Sequence, residues 1–139
     1  MILGIGNDLV DIRRIEKSLQ RFGRKFEERI FTDAEIAKAD SRAGAGDKVR
    51  AAVLAKRFAA KEAFVKALGT GIGEMVGWRD VEIANGTNGA AYFVLHGRTL
   101  EGFNAMAPLG MKTQAHLSMT DEYPFAQAFV VISAVISSN

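Results

Sequence analysis

Four charged side chains stand in an otherwise apolar helical run. In Arg57-Phe-Ala-Ala-Lys-Glu-Ala-Phe-Val-Lys-Ala-Leu-Gly-Thr-Gly-Ile-Gly73, Phe58, Leu68 and the alanines fall at helical spacing and supply a buried face. Lys61 and Glu62 interrupt that face, and Arg57 and Lys66 flank it. The run then breaks at Gly69, Gly71 and Gly73, where backbone N–H groups and basic side chains can meet an anion. Lys66 lies four residues beyond Glu62 and shares its face, so the plain alternative is an i,i+4 ion pair worth about 0.2–0.5 kcal/mol. No Gly-Lys-Ser/Thr follows at Walker A spacing, and the glycines close a helix where a dinucleotide fingerprint opens one.

Asp8 has two readings. Its carboxylate can cap the N–H groups of residues 10 and 11, or it can join Glu62 as a ligand for a hard cation. Two carboxylates suit Mg²⁺, which keeps several waters and bridges to phosphate. His96 and His116 are the only histidines. His116 stands in a strand-like stretch before Leu117-Ser-Met-Thr-Asp121, and Asp121 and Glu122 lie just beyond that strand. Surface or core-edge roles are the ordinary ones for both histidines.

These residues need elements to carry them. Met1 to Ile5 reads as a short strand with Asn7 and Asp8 at its end, and Asp11 caps a helix through about Phe22. Thr32-Asp-Ala-Glu35 has the form of a capping box. Residues 40–47 read as a loop, Asp47 as the cap of a long helix from Lys48 to Leu68, and Gly69 as its stop. Val81 to Ala84 and Ala91 to Leu95 form a hairpin, and Thr99 to Met106 a helix. Lys112 to Met119 and Ala128 to Ile136 add two strands, the second mostly β-branched and therefore central. The expectation is a single α+β domain over 1–139, helix-rich first, with a mainly antiparallel sheet packed against the long helix.

Composition narrows the class. A chain of 139 residues with 48% apolar side chains and two prolines fits one folded domain. Zero cysteines exclude disulfides and thiolate chemistry and fit a reducing compartment, and the N-terminus lacks a secretory pattern, so a cytoplasmic location is expected. The net charge is only +2, but residues 13–25 and 48–66 are each strongly basic, which points to localised anion recognition. Arg14, Lys17 and Arg21 make one basic stripe, extended by Arg24 and Lys25. A nucleic-acid module is disfavoured because neither segment interleaves aromatics or carries a recognised motif. A noncatalytic structural protein, in which Asp8 and Glu62 only satisfy backbone groups or salt bridges, is the other rival.

Four segments occur in a characteristic order: Gly4-Ile-Gly-Asn-Asp8, Phe31-Thr-Asp-Ala-Glu35, Arg57 through Gly71, and Leu117-Ser-Met-Thr-Asp121. In these the chain resembles the holo-acyl-carrier-protein synthase family, the small bacterial type of 4′-phosphopantetheinyl transferase. The resemblance implies that fold, a homotrimer with sites at subunit interfaces, and a role in fatty acid biosynthesis. It implies transfer of 4′-phosphopantetheine from coenzyme A to a carrier-protein serine. Asp8 and Glu62 would be the Mg²⁺ ligands, Lys66 and Arg57 the coenzyme A phosphate contacts, and Gly69, Thr70 and Gly71 the adjoining wall. Lys48 and Arg50 would hold the nucleotide end from a neighbouring subunit, with His116 a lesser ligand contact. Glu62, Lys66 and Asp121 are the catalytic candidates. Asp121 stands where many members have histidine, so the group that takes the serine proton stays open between Glu62, Asp121 and a metal-ordered water. Arg14, Arg21 and Arg24 correspond to the basic helix that docks the acidic acyl carrier protein.

Overall fold

A computed structural model describes residues 1–69 and 76–138. Strand β1 (Ile2–Asp11) is followed by helices α1 (Ile12–Phe22), α2 (Arg24–Ile30), α3 (Asp33–Asp40) and α4 (Asp47–Leu68). The hairpin β2 (Val81–Asn85) and β3 (Ala91–Leu95) comes next, then α5 (Gly97–Ala105), β4 (Met111–Glu122) and β5 (Phe125–Ile136). Gly69 caps α4 in the left-handed region (φ 86°), as its position after the last apolar residue predicts. The Thr32/Glu35 capping box forms, and Asp11 caps α1 by accepting from the Arg13 N–H.

Four expectations change, the first being that Asp121 and Glu122 lie within β4 and not beyond it. β1 runs to Asp11 instead of Ile5, because an antiparallel ladder with β5 pairs Asp8 with Ala128 and Asp11 with Phe125. Asp8 therefore sits inside a strand, not at its end. Asp47 is the first residue of α4, whose N-cap is Gly46 at φ 115°, so its carboxylate serves the positive helix end from within the first turn. Residues 40–47 are not all loop either, since α3 reaches Asp40 and a 3-10 turn spans Ala43–Ala45.

The strands form two sheets, a three-stranded one in the order β1-β5-β4 and the β2–β3 hairpin, both antiparallel. β5 is central, as its β-branched composition predicts. Its alternate residues Ala126, Ala128, Val130, Ile132 and Ala134 are buried on the side that receives α4. The approach to β1 is backbone on backbone. A Cβ on Gly6 would lie 1.7 Å from the Ala63 carbonyl oxygen, and one on Gly4 would lie 1.9 Å from that of Ala67. Only glycine permits this contact.

The other face of the three-stranded sheet carries Ile5, Leu9, Phe125 and Phe129, which are 55%, 60%, 46% and 45% exposed. An apolar surface of that size on one side of a sheet is unusual for an isolated domain.

Candidate active site

The close packing of α4 on β1 brings Glu62 and Lys66 over Asp8. Lys66 Nζ donates to Asp8 Oδ1 and to the Asn7 carbonyl, each at 3.0 Å. Asp8 is mostly buried (15% of its side chain exposed), while Lys66 is about half exposed. Partial burial raises the Glu62 pKa above its ordinary 4.5, and the Asp8 charge adds to the rise; Lys66 and Arg14 pull the other way. Two carboxylates that repel one another beside an exposed lysine form an oxygen-rich pair suited to a divalent cation and an anion together. No group of three or more His, Cys, Asp or Glu side chains converges among the described residues. Asp8 does not cap α1, since Asp11 does.

Arg57 projects from α4 toward the hairpin and is 3% exposed. It donates to Asn85 Oδ1 at 2.6 Å, and its buried Nε has no partner among the described residues. Burial pushes its pKa down, with Glu35 opposing. Among the described residues this buried guanidinium bonds one neutral amide, with the Glu35 carboxylate acting on its charge. Thr70 and Gly71 lie outside the described residues, and Gly69 ends α4 beside them.

Lys61, the other charge in the apolar run, is fully buried. Its Nζ donates to Glu35 Oε1 (2.8 Å) and to the carbonyls of Trp78 (2.9 Å) and Val81 (2.6 Å). Burial lowers its pKa and Glu35 counteracts that. Glu35 also accepts from the N–H groups of Thr32 and Ile83, at 2.9 and 3.0 Å. One capping residue thus joins α3 to the hairpin.

A second polar cluster occupies the opposite edge of the sheet. Asp121 pairs with Ala126 in the ladder and faces α4, where Lys56 Nζ meets its Oδ1 at 3.0 Å. Lys48 sits over the Tyr123 ring, 4.7 Å from its centroid. With Arg42, Val49, Ala52 and Val53 these residues line a groove of about 490 Å³. Two strand spacings, about 10 Å, separate this edge from β1. Within one chain, then, Asp121 and Lys48 do not join Asp8, Glu62 and Lys66. Arg50 is engaged elsewhere, with Nη2 at 2.6 Å from Glu27 Oε1 and Nε at 3.0 Å from Asp40 Oδ1. His116 pairs with Val131 on the sheet face away from α4, and its Nε2 lies 3.4 Å from Ser133 Oγ. Lys56, Arg42 and Tyr123 were not singled out from the sequence. The interval Lys48, Ala52, Lys56 did mark one helical face, but its destination depends on the sheet.

Arg14, Lys17 and Arg21 are exposed along α1, with Arg21 over the Phe22 ring at 5.1 Å. Arg24, on α2, reaches Glu27 at 3.3 Å. Beside them Ser18, Phe22, Lys25, Phe26, Arg29 and Ile30 line a groove of about 350 Å³ with an apolar floor and basic rim.

This arrangement has close counterparts among known proteins. The 4′-phosphopantetheinyl transferase superfamily pattern matches residues 4–126. The chain belongs to that superfamily. It is 53% identical over 135 residues to a holo-[acyl-carrier-protein] synthase of Sinorhizobium fredii, covering 97% of this chain and 94% of the relative. The crystal structure of holo-[acyl-carrier-protein] synthase from Neisseria meningitidis superposes with a TM-score of 0.81 at 38% identity, covering 96% of this chain and 99% of that one. The Helicobacter pylori holo-[acyl-carrier-protein] synthase, solved in complex with coenzyme A, gives 0.76 at 32% identity, with 93% and 99% covered. The α+β architecture of a sheet against a long helix is the one these relatives share.

Proposed function

We infer that this chain is a holo-acyl-carrier-protein synthase, moving 4′-phosphopantetheine from coenzyme A to a serine of apo-acyl carrier protein and releasing adenosine 3′,5′-bisphosphate. The full-length likeness to holo-[acyl-carrier-protein] synthases carries this conclusion, and the Asp8/Glu62/Lys66 cluster gives it chemistry. In the reaction the serine oxygen bonds to the phosphorus bearing pantetheine, the bond from that phosphorus to the bridging oxygen breaks, and the serine proton leaves. Lys66 offsets negative charge gathering on the phosphoryl oxygens, while Arg57, nine residues earlier on α4 and turned to Asn85 of the hairpin, lies away from that cluster within one chain. Asp8 and Glu62 would hold Mg²⁺, whose chemistry there is to neutralise the pyrophosphate and stabilise the departing bisphosphate. The mutual repulsion of the two carboxylates supports that fit. Glu62, Asp121 and an ordered water remain the candidates for the proton.

We further propose that the enzyme is a trimer. The exposed apolar sheet face supports this, and so do the two polar clusters on opposite sheet edges. Association would let Asp121, Lys48 and Lys56 of one subunit complete the Asp8/Glu62/Lys66 site of the next. His116, on the apolar face, would lie near that junction. Arg50, bound to Glu27 and Asp40, is better read as bracing α4 than as a nucleotide contact. The basic α1 stripe, with Arg14, Arg21 and Arg24, would steer the acidic carrier into the adjoining apolar groove.

Mass spectrometry of apo-acyl carrier protein incubated with this protein, coenzyme A and Mg²⁺ tests the activity. One phosphopantetheine on the carrier serine, abolished by chelator, is the expected result. A folded protein that leaves several carriers unmodified refutes it.

A further inference from the structure

Six of the twelve buried residues of α4 are alanine. Ala51, Ala55, Ala59, Ala60, Ala63 and Ala67 are all at most 2–4% exposed, and the last two touch β1 backbone to backbone. The alanines make shallow ridges that resist rotation weakly, so packing holds α4 chiefly through Leu54 and through Phe64, which packs on Phe93 and Phe103. Yet that position decides the site, because Glu62 and Lys66 ride on α4 while Asp8 and Asn7 belong to β1.

The side of α4 away from β1 supplies what the alanines lack. Lys61 uses its three protons on three acceptors from two other parts of the chain: the Glu35 carboxylate of α3, and the Trp78 and Val81 carbonyls that lead into β2. Glu35 is fixed in turn by the Thr32 and Ile83 N–H groups. These bonds are directional, so they penalise a rotation of α4 that alanine packing would permit. A buried ion pair contributes little net stability compared with apolar residues, and directional specification is the property it adds. Lys61 and Glu62 are adjacent, so what holds the one sets the bearing of the other.

We propose that the Lys61–Glu35 pair is a positioning element for the transfer reaction, holding α4 at the rotation that sets Glu62 opposite Asp8 without itself touching substrate. This rests on the transferase reading of the Asp8/Glu62 pair. A helix displaced by one residue moves its side chains about 1.5 Å along the axis, and a misplacement near 1 Å can cost about 100-fold in rate.

The test compares wild type with Lys61→Gln/Glu35→Gln, which removes both charges yet leaves amide groups near the stranded carbonyls, and with Lys61→Arg, which keeps the charge but not the three-bond geometry. Leu95→Val, a partly buried change on β3, is the control for simple loss of stability. Circular dichroism first fixes a temperature at which each protein is folded. Mn²⁺ binding in the presence of coenzyme A, read by electron paramagnetic resonance, and steady-state kinetics follow. The double variant is expected to bind Mn²⁺ at least tenfold more weakly and lose at least tenfold in kcat, with KM for the carrier within threefold because α1 is untouched. Leu95→Val keeps wild-type values. A folded double variant matching Leu95→Val in both readouts overturns the proposal. If the double variant does not fold, Lys61→Arg decides by the same two readouts. Wild-type protein that neither binds Mn²⁺ nor transfers overturns the underlying transferase reading, a result distinct from normal behaviour in the variants.

Discussion

Gly6→Ala should damage this enzyme out of proportion to one methyl group. The added Cβ would lie 1.7 Å from the Ala63 carbonyl oxygen and 2.7 Å from its carbon, and these are backbone atoms of a long helix. Real Cβ contacts essentially never fall under 3.0 Å, so strand and helix must separate by roughly 1.3 Å or more. Overpacking of this kind costs about 1–3 kcal/mol or more. In a domain of this size that lowers Tm by about 3–12 °C. Activity should suffer more, because the same separation parts Asp8 from Glu62, and a 1 Å error can cost about 100-fold. Gly44→Ala is the control: a Cβ there meets nothing within 4 Å, and a change within about 0.5 kcal/mol is expected. The assay is urea unfolding beside mass-spectrometric transfer kinetics. A Gly6→Ala protein with the stability of Gly44→Ala and kcat within threefold of it would refute the claim that this contact sets the site.

Glu62→Gln should abolish Mg²⁺-dependent transfer by at least about 100-fold while leaving the fold intact, read by transfer kinetics and a thermal melt. Its stability should also reveal a pH dependence. The folded Glu62 pKa is raised by burial and by Asp8, so the folded state binds a proton more readily than the unfolded one. The stabilisation linked to that group is present below about pH 4.5 and is lost as pH rises through the raised value, so Glu62→Gln should gain on wild type between pH 4.5 and 7.5 in urea melts. Arg14→Glu/Arg21→Glu should raise KM for the carrier about tenfold and weaken its salt dependence, with KM for coenzyme A unchanged in steady-state assays. Leu9→Glu/Phe129→Glu places charge on the apolar sheet face; sedimentation velocity should then show a smaller species than wild type, with transfer reduced.

Local chemistry was legible in the residues, and long-range destination was not. The Asp11 cap, the Thr32/Glu35 box and the Gly69 stop depend on neighbours within four positions, and each occurs as its spacing predicts. β1 was cut short because Gly6, Asn7 and Asp8 are poor strand formers alone; pairing with β5 more than a hundred residues later overrides that preference. The same distance hid which way charges point. Glu62 and Lys66 on one helical face were readable, whereas Lys61 meeting the Trp78 and Val81 carbonyls depends on where the hairpin packs. Asp121 and Glu122 read as lying beyond the strand, whereas pairing with β5 carries β4 to Glu122, so that Asp121 lies within it on the side that α4 covers and opposite to His116. Arg50 and Lys48, two residues apart, diverged because α2 and α3 supply carboxylates to one and the β4–β5 turn an aromatic ring to the other.

The central place of β5 has a kinetic consequence. β1 and β4 each pair only with β5 in their sheet, so neither edge strand has a native ladder until the central strand arrives. The β1–β5 register joins residues as far apart as Ile2 and Ser133, a loop closure among the longest this chain can make. Helical segments can form early from local contacts, but the sheet that carries Asp8 must wait for that closure. Refolding should therefore show helical signal well before Asp8 and Glu62 come together. Crowded solutions would hold the intermediate at its most vulnerable, with glycine-rich β1 unpaired and a long apolar strand still seeking its place.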